Sequence, residues 1–193
     1  MSTLNFKLCE RSNMVQTTKR ERTKQHILEK AWALFEQDGY EQTTTRAIAR
    51  AAKVSDGTVF SHFATKVDLL RAGMEKKIAH IFESEVKRLE CPTYEDLLRL
   101  CRAYYDYYFL YPELGRVLLN DALWQLDKFA HIQTQIQQIF SNPNANIGPQ
   151  QADIIFDCYL MTLITHLSNP QSSAESAFSV LKNKLSYIIN NES

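Results

Sequence analysis

From Leu69 onward the chain repeats apolar residues at three- and four-residue steps, through Leu70, Met74, Ile78, Ile81, Phe82 and Val86 to Leu89. Only an α-helix gathers such a series on one face. At roughly 1.5 Å per residue this helix spans on the order of 35 Å, enough to join two units of one chain. The same period runs through Ile27, Leu28, Ala31, Leu34 and Phe35. Glycine and proline number only five each, too few for the many tight turns of a β-sandwich or barrel. The expected class is all-α, with about nine helices, no strand and no internal repeat.

Helix ends are marked by residue types that satisfy unpaired backbone groups. Thr18-Lys19-Arg20-Glu21 has the form of a capping box, and Gly39 stops the helix it opens. A short helix over about Thr45 to Ala51 follows. The turn Ala52-Lys53-Val54 leads to Ser55, an N-cap for a third short helix ending near Phe63. Thr65-Lys66-Val67-Asp68 opens the long helix, and Thr93-Tyr94-Glu95-Asp96 caps one that reaches Tyr111-Pro112. Another is expected over about Glu113 to Phe140, then a loop from Ser141 to Gly148. Pro149 suits the first turn of a helix reaching about Leu167, and Ser172 with Glu175 caps the last, ending near Asn190. Residues 1–16 hold no sustained period and are expected to be a disordered arm.

Two short helices joined by a tight turn, at residues 45–63, have the outline of a helix-turn-helix, which lays its second helix in the DNA major groove. A plain helical hairpin in an all-α core has the same outline. The residues themselves carry more: Ile27-Leu28, Ala31, Leu34-Phe35, Gly39-Tyr40, Thr43-Thr44-Thr45, Ile48-Ala49, Ala52, Val54-Ser55, Gly57-Thr58, His62-Phe63, Lys66 and Leu69-Leu70. This series, at this spacing over nearly the whole of Thr23 to Leu70, resembles the DNA-binding domain of the TetR family of bacterial transcriptional regulators.

That resemblance implies a helix-turn-helix domain over residues 17–65 and a larger helical effector-binding and dimerisation domain over residues 66–193. It implies that Thr44 and Thr45 meet a phosphate at the amino end of the bracing helix, with Arg46 directed to the same region. A helix N-terminus favours anions in any case. Ser55, Asp56, Thr58 and Val59 occupy positions that in relatives face base edges or the sugar-phosphate rim. Gly57 lets the backbone approach DNA, and His62 and Lys66 look like phosphate contacts. Ser55 can equally serve as a cap. Asp56 either repels phosphate or accepts a cytosine amino group. Three residues depart from the family pattern. Lys53 stands where glycine is usual, Phe60 where tyrosine is usual, and Val67 where glutamate is common. Lys53 adds charge beside DNA, whereas Phe60 lacks the phenolic hydroxyl that would bond a phosphate.

In the back half the resemblance is one of architecture. It implies a homodimer through the last two helices and a small-molecule effector held in the larger domain. Ile154, Ile155, Tyr159, Leu163 and Leu167, with Phe178, Leu181, Leu185 and Ile188, give two apolar helix faces that could pair two subunits or close the core of one. The run Tyr104-Tyr105-Asp106-Tyr107-Tyr108-Phe109-Leu110-Tyr111 offers large rings with polar tips, as a ligand pocket needs. Tyr104, Tyr107, Tyr108 and Tyr111 are its candidate pocket residues, with Trp124, Phe129 and His166 as looser ones; the rings can also simply pack.

The remaining features narrow the function class. Residues 1–75 carry 12 Lys/Arg against 9 Asp/Glu and the rest 10 against 13, a basic front half and an acidic back half within zero net charge. No G-x-S-x-G, phosphate loop or metal-like spacing among His26, His62, His80, His131 and His166 points to an enzyme, a cofactor or a metal. Cys9, Cys91, Cys101 and Cys158 form no paired motif and read as free thiols of a reducing compartment, so the cytoplasm is expected. The implied function is a dimeric repressor, released from a palindromic operator in double-stranded DNA by a small molecule. The alternatives are a regulator without an effector, an activator, or a helical ligand carrier or enzyme.

Overall fold

The computed structural model describes residues 18–86, 93–123, 134 and 148–189, and among them every regular element is helical. Eight helices follow in order: α1 (Lys19–Asp38), α2 (Thr45–Ala51), α3 (Asp56–His62), α4 (Lys66–Val86), α5 (Tyr94–Leu110), α6 (Pro112–Ala122), α7 (Pro149–Leu167) and α8 (Ala174–Ile189). The arm over 1–16, and most of the stretch that would carry the sixth helix on to Phe140, lie outside the described residues.

The caps explain where the helices begin. The Thr18 hydroxyl accepts from the Glu21 amide at 3.1 Å. At α5, Thr93 and Asp96 form a reciprocal capping box. Gly148 N–H donates to the Gln151 side chain at 2.7 Å, and Pro149 takes the first helical position of α7. The last helix differs from expectation by one residue. Ser173, not Ser172, is the cap, exchanging bonds with Ser176 in both directions at 3.0 and 3.1 Å. Ser172 is still in the turn, its amide bonded to the Asn169 carbonyl at 3.0 Å. Gly39 ends α1 at φ 82° and ψ 159°, a region open to glycine alone, and Tyr40 packs back on Phe35 with ring centres 5.3 Å apart.

Thr65 and Asp68 open α4. The Asp68 carboxylate accepts from the Thr65 amide at 3.0 Å, the Thr65 hydroxyl at 2.8 Å and Arg71 at 2.8 Å. These bonds, that of the Thr65 hydroxyl first, hold the Asp68 carboxyl below the usual carboxylate range. A depressed acid contributes stability above its unfolded-state pKa and loses it as pH falls through the folded value. Asp68→Asn is therefore expected to cost about 1 kcal/mol at neutral pH and to flatten the fall in stability below about pH 4, measured by urea unfolding at each pH.

The core is one continuous cluster from Ile27 to Leu185. Helix α4 is its spine, packing on α1 at one side and on α5 and α6 at the other. Leu69, Leu70 and Met74 are fully buried there, each contributing roughly 1.5–3 kcal/mol of burial. Helix α5 threads the second group of helices. Tyr105 is fully buried, its ring stacked on Tyr159 at 5.0 Å and its hydroxyl donating to the Tyr159 carbonyl at 3.0 Å. Helices α2 and α3 pack on each other and on α1, so the first three helices form a small unit at the amino end of α4.

Candidate nucleic-acid interface

The turn between α2 and α3 fixes how the two short helices meet. Lys53 N–H bonds the Arg50 carbonyl at 3.2 Å and Val54 N–H the Ala49 carbonyl at 3.0 Å, the paired bonds of a Schellman motif. That motif places Lys53 at φ 55°, the only positive φ outside glycine among the described residues. Left-handed backbone in a residue with a Cβ costs roughly 1–2 kcal/mol. Lys53→Gly is thus expected to raise the unfolding midpoint slightly, by less than ~1 kcal/mol once the unfolded-state entropy of glycine is counted, while removing one exposed charge.

The three consecutive threonines do three different things. Thr43 is buried, and its hydroxyl donates towards the Gly39 carbonyl at 2.8 Å and the Leu34 carbonyl at 3.2 Å, closing the α1–α2 turn. Thr44 is the exposed N-cap of α2, accepting from the Ala47 amide at 3.1 Å. Thr45 is the first helical residue and half-exposed. Arg46 is exposed, and Arg50, not among the residues expected from the sequence, lies one turn on along the same face. Among the described residues neither these arginines nor Lys53 carries an ion pair. The signal for Arg50 was its four-residue spacing from Arg46.

On α3, Ser55 caps the helix by accepting from the Thr58 amide at 3.1 Å, and the two hydroxyls lie 2.8 Å apart. Ser55, Asp56 and Gly57 are exposed and Thr58 half-exposed. A Cβ on Gly57 would meet nothing nearer than the Ser55 hydroxyl at 3.8 Å, so the fold itself does not demand glycine there. Phe60 is 51% exposed, a large ring left at the surface. His62 is half-exposed, and Phe63 is buried beneath the Lys24 ammonium, 5.8 Å from the ring centre.

Val59 corrects the expectation that it faces DNA. It is 0% exposed and belongs to the core, because the face of α3 that packs on α1 and α2 runs through it. Lys66 is half-buried, with its ammonium donating to the Tyr40 carbonyl at 2.8 Å and lying 4.1 Å over the Tyr40 ring. That bond ties the start of α4 to the end of α1.

The tyrosine-rich helix divides by face. Tyr104 and Tyr108 are buried and border an apolar cavity of about 30 Å³. Its other walls are Ile78 of α4, Leu97, Leu100 and Cys101 of α5, Leu119 of α6, and Ile155, Phe156, Tyr159, Leu160 and Leu163 of α7. Burial lifts the Tyr104 and Tyr108 hydroxyls well above their ordinary range and pushes the Cys101 thiol up to about 12, which leaves the thiol protonated and unreactive. Tyr107 and Tyr111 are not part of these walls. Tyr111 packs edge-on to Trp32 of α1, at 5.9 Å, and donates to Glu36 at 2.6 Å; Tyr107 packs against Tyr111. His166 also lies off the cavity, bonded to the Thr162 carbonyl at 2.9 Å. Trp124 and Phe129 fall outside the described residues.

Comparison with known proteins agrees with this geometry. Residues 27–72 match the family described as bacterial regulatory proteins, tetR family. The HTH-type transcriptional regulator HbdR of Aromatoleum sp. (strain CIB) is 34% identical over 87 residues, 45% of this chain and 38% of HbdR. The chain thus spans well under half of that relative. The HTH-type transcriptional repressor KstR of Mycolicibacterium smegmatis is 25% identical over 190 residues, covering 89% of each chain. A crystal structure of a TetR-family transcriptional regulator from Pectobacterium atrosepticum superposes with a TM-score of 0.67 at 23% identity, over 88% of this chain and 93% of that one.

Proposed function

We propose, on the premise that the helix-turn-helix segment of this chain belongs to the TetR family, that the protein is a DNA-binding transcriptional repressor rather than an enzyme. It binds a palindromic operator as a homodimer and is released by a small-molecule effector. Residues 17–65 act as the DNA-binding domain and residues 66–193 as the effector and dimerisation domain. The observation that carries this reading is the outer face of α2 and α3. Ser55, Asp56, Gly57 and Phe60 stand exposed on a helix pinned to the core by Val59, with Arg46, Arg50 and Lys53, which carry no ion pair among the described residues, on the same motif. Base edges would meet the α3 residues and phosphates the basic ones. Lys66 acts chiefly by holding the α1–α2 turn in place, with donors to spare for a phosphate.

The dimer reading rests on α7 and α8. Ile155, Tyr159, Leu163, Leu167, Leu181 and Leu185 are buried and close the core of the subunit. A different set stays at the surface: Ile154 and Met161 on α7, Val180 and Tyr187 on α8, each pair seven residues apart and so on one face. A second copy would cover these two stripes. Effector coupling would run through Ile78, because this cavity wall belongs to α4, whose other end carries the DNA-binding unit. Among the described residues no helix is long and apolar enough to cross a membrane, and the cytoplasm is the proposed location.

The test is to pass sheared genomic DNA over the immobilised full chain and sequence what is retained. The proposal expects a shared two-fold inverted site, since two symmetry-related recognition helices read it. Retained fragments without a common sequence would refute it.

A further inference from the structure

The cavity bordered by Tyr104 and Tyr108 says what chemistry its occupant has. Among the described residues its walls hold no charged side chain, no histidine, no amide and no aliphatic hydroxyl. Their only polar groups are the hydroxyls of Tyr104, Tyr108 and Tyr159 and the thiol of Cys101. One cation on α5 and one on α8 are held by other partners. Arg102 pairs with Asp106 and with Glu175 of α8, and Lys184 donates to Thr162 at 2.9 Å. An ionised ligand entering here would exchange water for hydrocarbon with no counter-charge among the described walls to meet it, whereas a hydroxyl or carbonyl could pair with a tyrosine.

We propose that the effector is an uncharged, predominantly apolar molecule whose single polar group is a hydroxyl or carbonyl bonded by a tyrosine of this cavity. The inference rests on the reading of the cavity as the effector site. At about 30 Å³ the space is smaller than any such molecule, so uptake parts the walls. Ile78 ties one wall to α4, and Leu119 ties another to α6, which α4 also packs against. Ligand entry therefore acts on the helix that carries the DNA-binding unit.

The experiment uses matched pairs of equal size, naphthol against naphthoate and decanol against decanoate, with the full chain. Thermal unfolding and release of a labelled operator duplex are read for each. The neutral member of at least one pair is expected to raise the melting temperature and release the duplex, with its carboxylate weaker by about a hundredfold or more. Tyr104→Phe should weaken the neutral ligand by several-fold at unchanged stability, and Leu100→Phe, which fills the cavity, should abolish its effect while leaving duplex binding intact. A carboxylate that binds as tightly as its alcohol overturns the ligand class while leaving the cavity an effector site. An alcohol that acts equally on Leu100→Phe sits elsewhere and overturns the assignment to this cavity. If no alcohol acts although the duplex is bound, the effector reading itself falls, and the inference with it.

Discussion

An aspartate in place of Val59 is expected to abolish the proposed DNA binding by unfolding the first three helices. Position 59 is 0% exposed and packed in the core that α3 shares with α1 and α2, so the new carboxylate has neither water nor a partner. Leaving it buried costs more than about 4 kcal/mol, a large part of an ordinary domain's stability of roughly 5–15 kcal/mol. The milder Val59→Ala should lower stability by roughly 2 kcal/mol through the lost methyl groups and the space they leave. It should leave the preferred DNA sequence unchanged. Thr58→Ala, one residue away on the half-exposed side, should do the opposite and alter sequence preference with little change in stability. Thermal unfolding and a binding selection on the two alanine variants separate these outcomes. A changed preference at unchanged stability for Val59→Ala would mean that α3 is turned the other way.

Gly73→Leu is expected to destabilise the seam between the first three helices and the rest to a comparable degree. A Cβ at Gly73 would lie 2.5 Å from Cε3 and 2.9 Å from Cζ3 of Trp32, closer than atoms tolerate. Two contacts hold the indole where it is. Its N–H donates to Glu36 at 2.7 Å, the same carboxylate oxygen that accepts from Tyr111, and its ring meets Tyr111 edge-on. Moving it breaks the contact that joins α1 to the α5–α6 junction. Glycine in a helix interior ordinarily gives up about 1 kcal/mol to alanine, so close packing is what justifies it here. The leucine variant should cost on the order of 3 kcal/mol. Combined with Trp32→Leu the two changes should cost less than their sum by more than ~1 kcal/mol, because the smaller side chain relieves the overlap. Strict additivity in urea unfolding would show that the two residues do not press on each other.

How far the sequence could be read depended on whether a feature was local. Helix starts followed from hydroxyl and carboxylate pairs three residues apart, as at Thr65–Asp68 and Thr93–Asp96, because a cap involves only its own turn. The serine-rich start of α8 was ambiguous by one residue, since Ser172 and Ser173 are equally able caps. The side Val59 takes is not legible in the sequence by period alone, because α3 is too short for a period to separate its two faces and a valine among contact residues passes for one of them. Its four-residue spacing from Phe63 is the clue. The tyrosine run was ambiguous for the opposite reason: rings at nearly every position cover every side of α5. Only packing sorts Tyr104, Tyr105 and Tyr108 inward from Tyr107 and Tyr111, which lie towards Trp32. The Trp32–Gly73 contact and the cavity join residues far apart in the chain, and no local pattern announces either.

A salt titration reads whether the outer face of α2 and α3 grips duplex DNA as proposed. Fluorescence anisotropy of the full chain on a duplex recovered from the genomic selection, repeated across a salt series, reads the phosphate contacts as a slope. Log affinity is expected to fall in a straight line with log salt, on the order of a thousandfold between ~50 and ~200 mM, as counterions are released at each basic contact. An affinity indifferent to salt, or no binding to the duplex at the lowest salt, would contradict it.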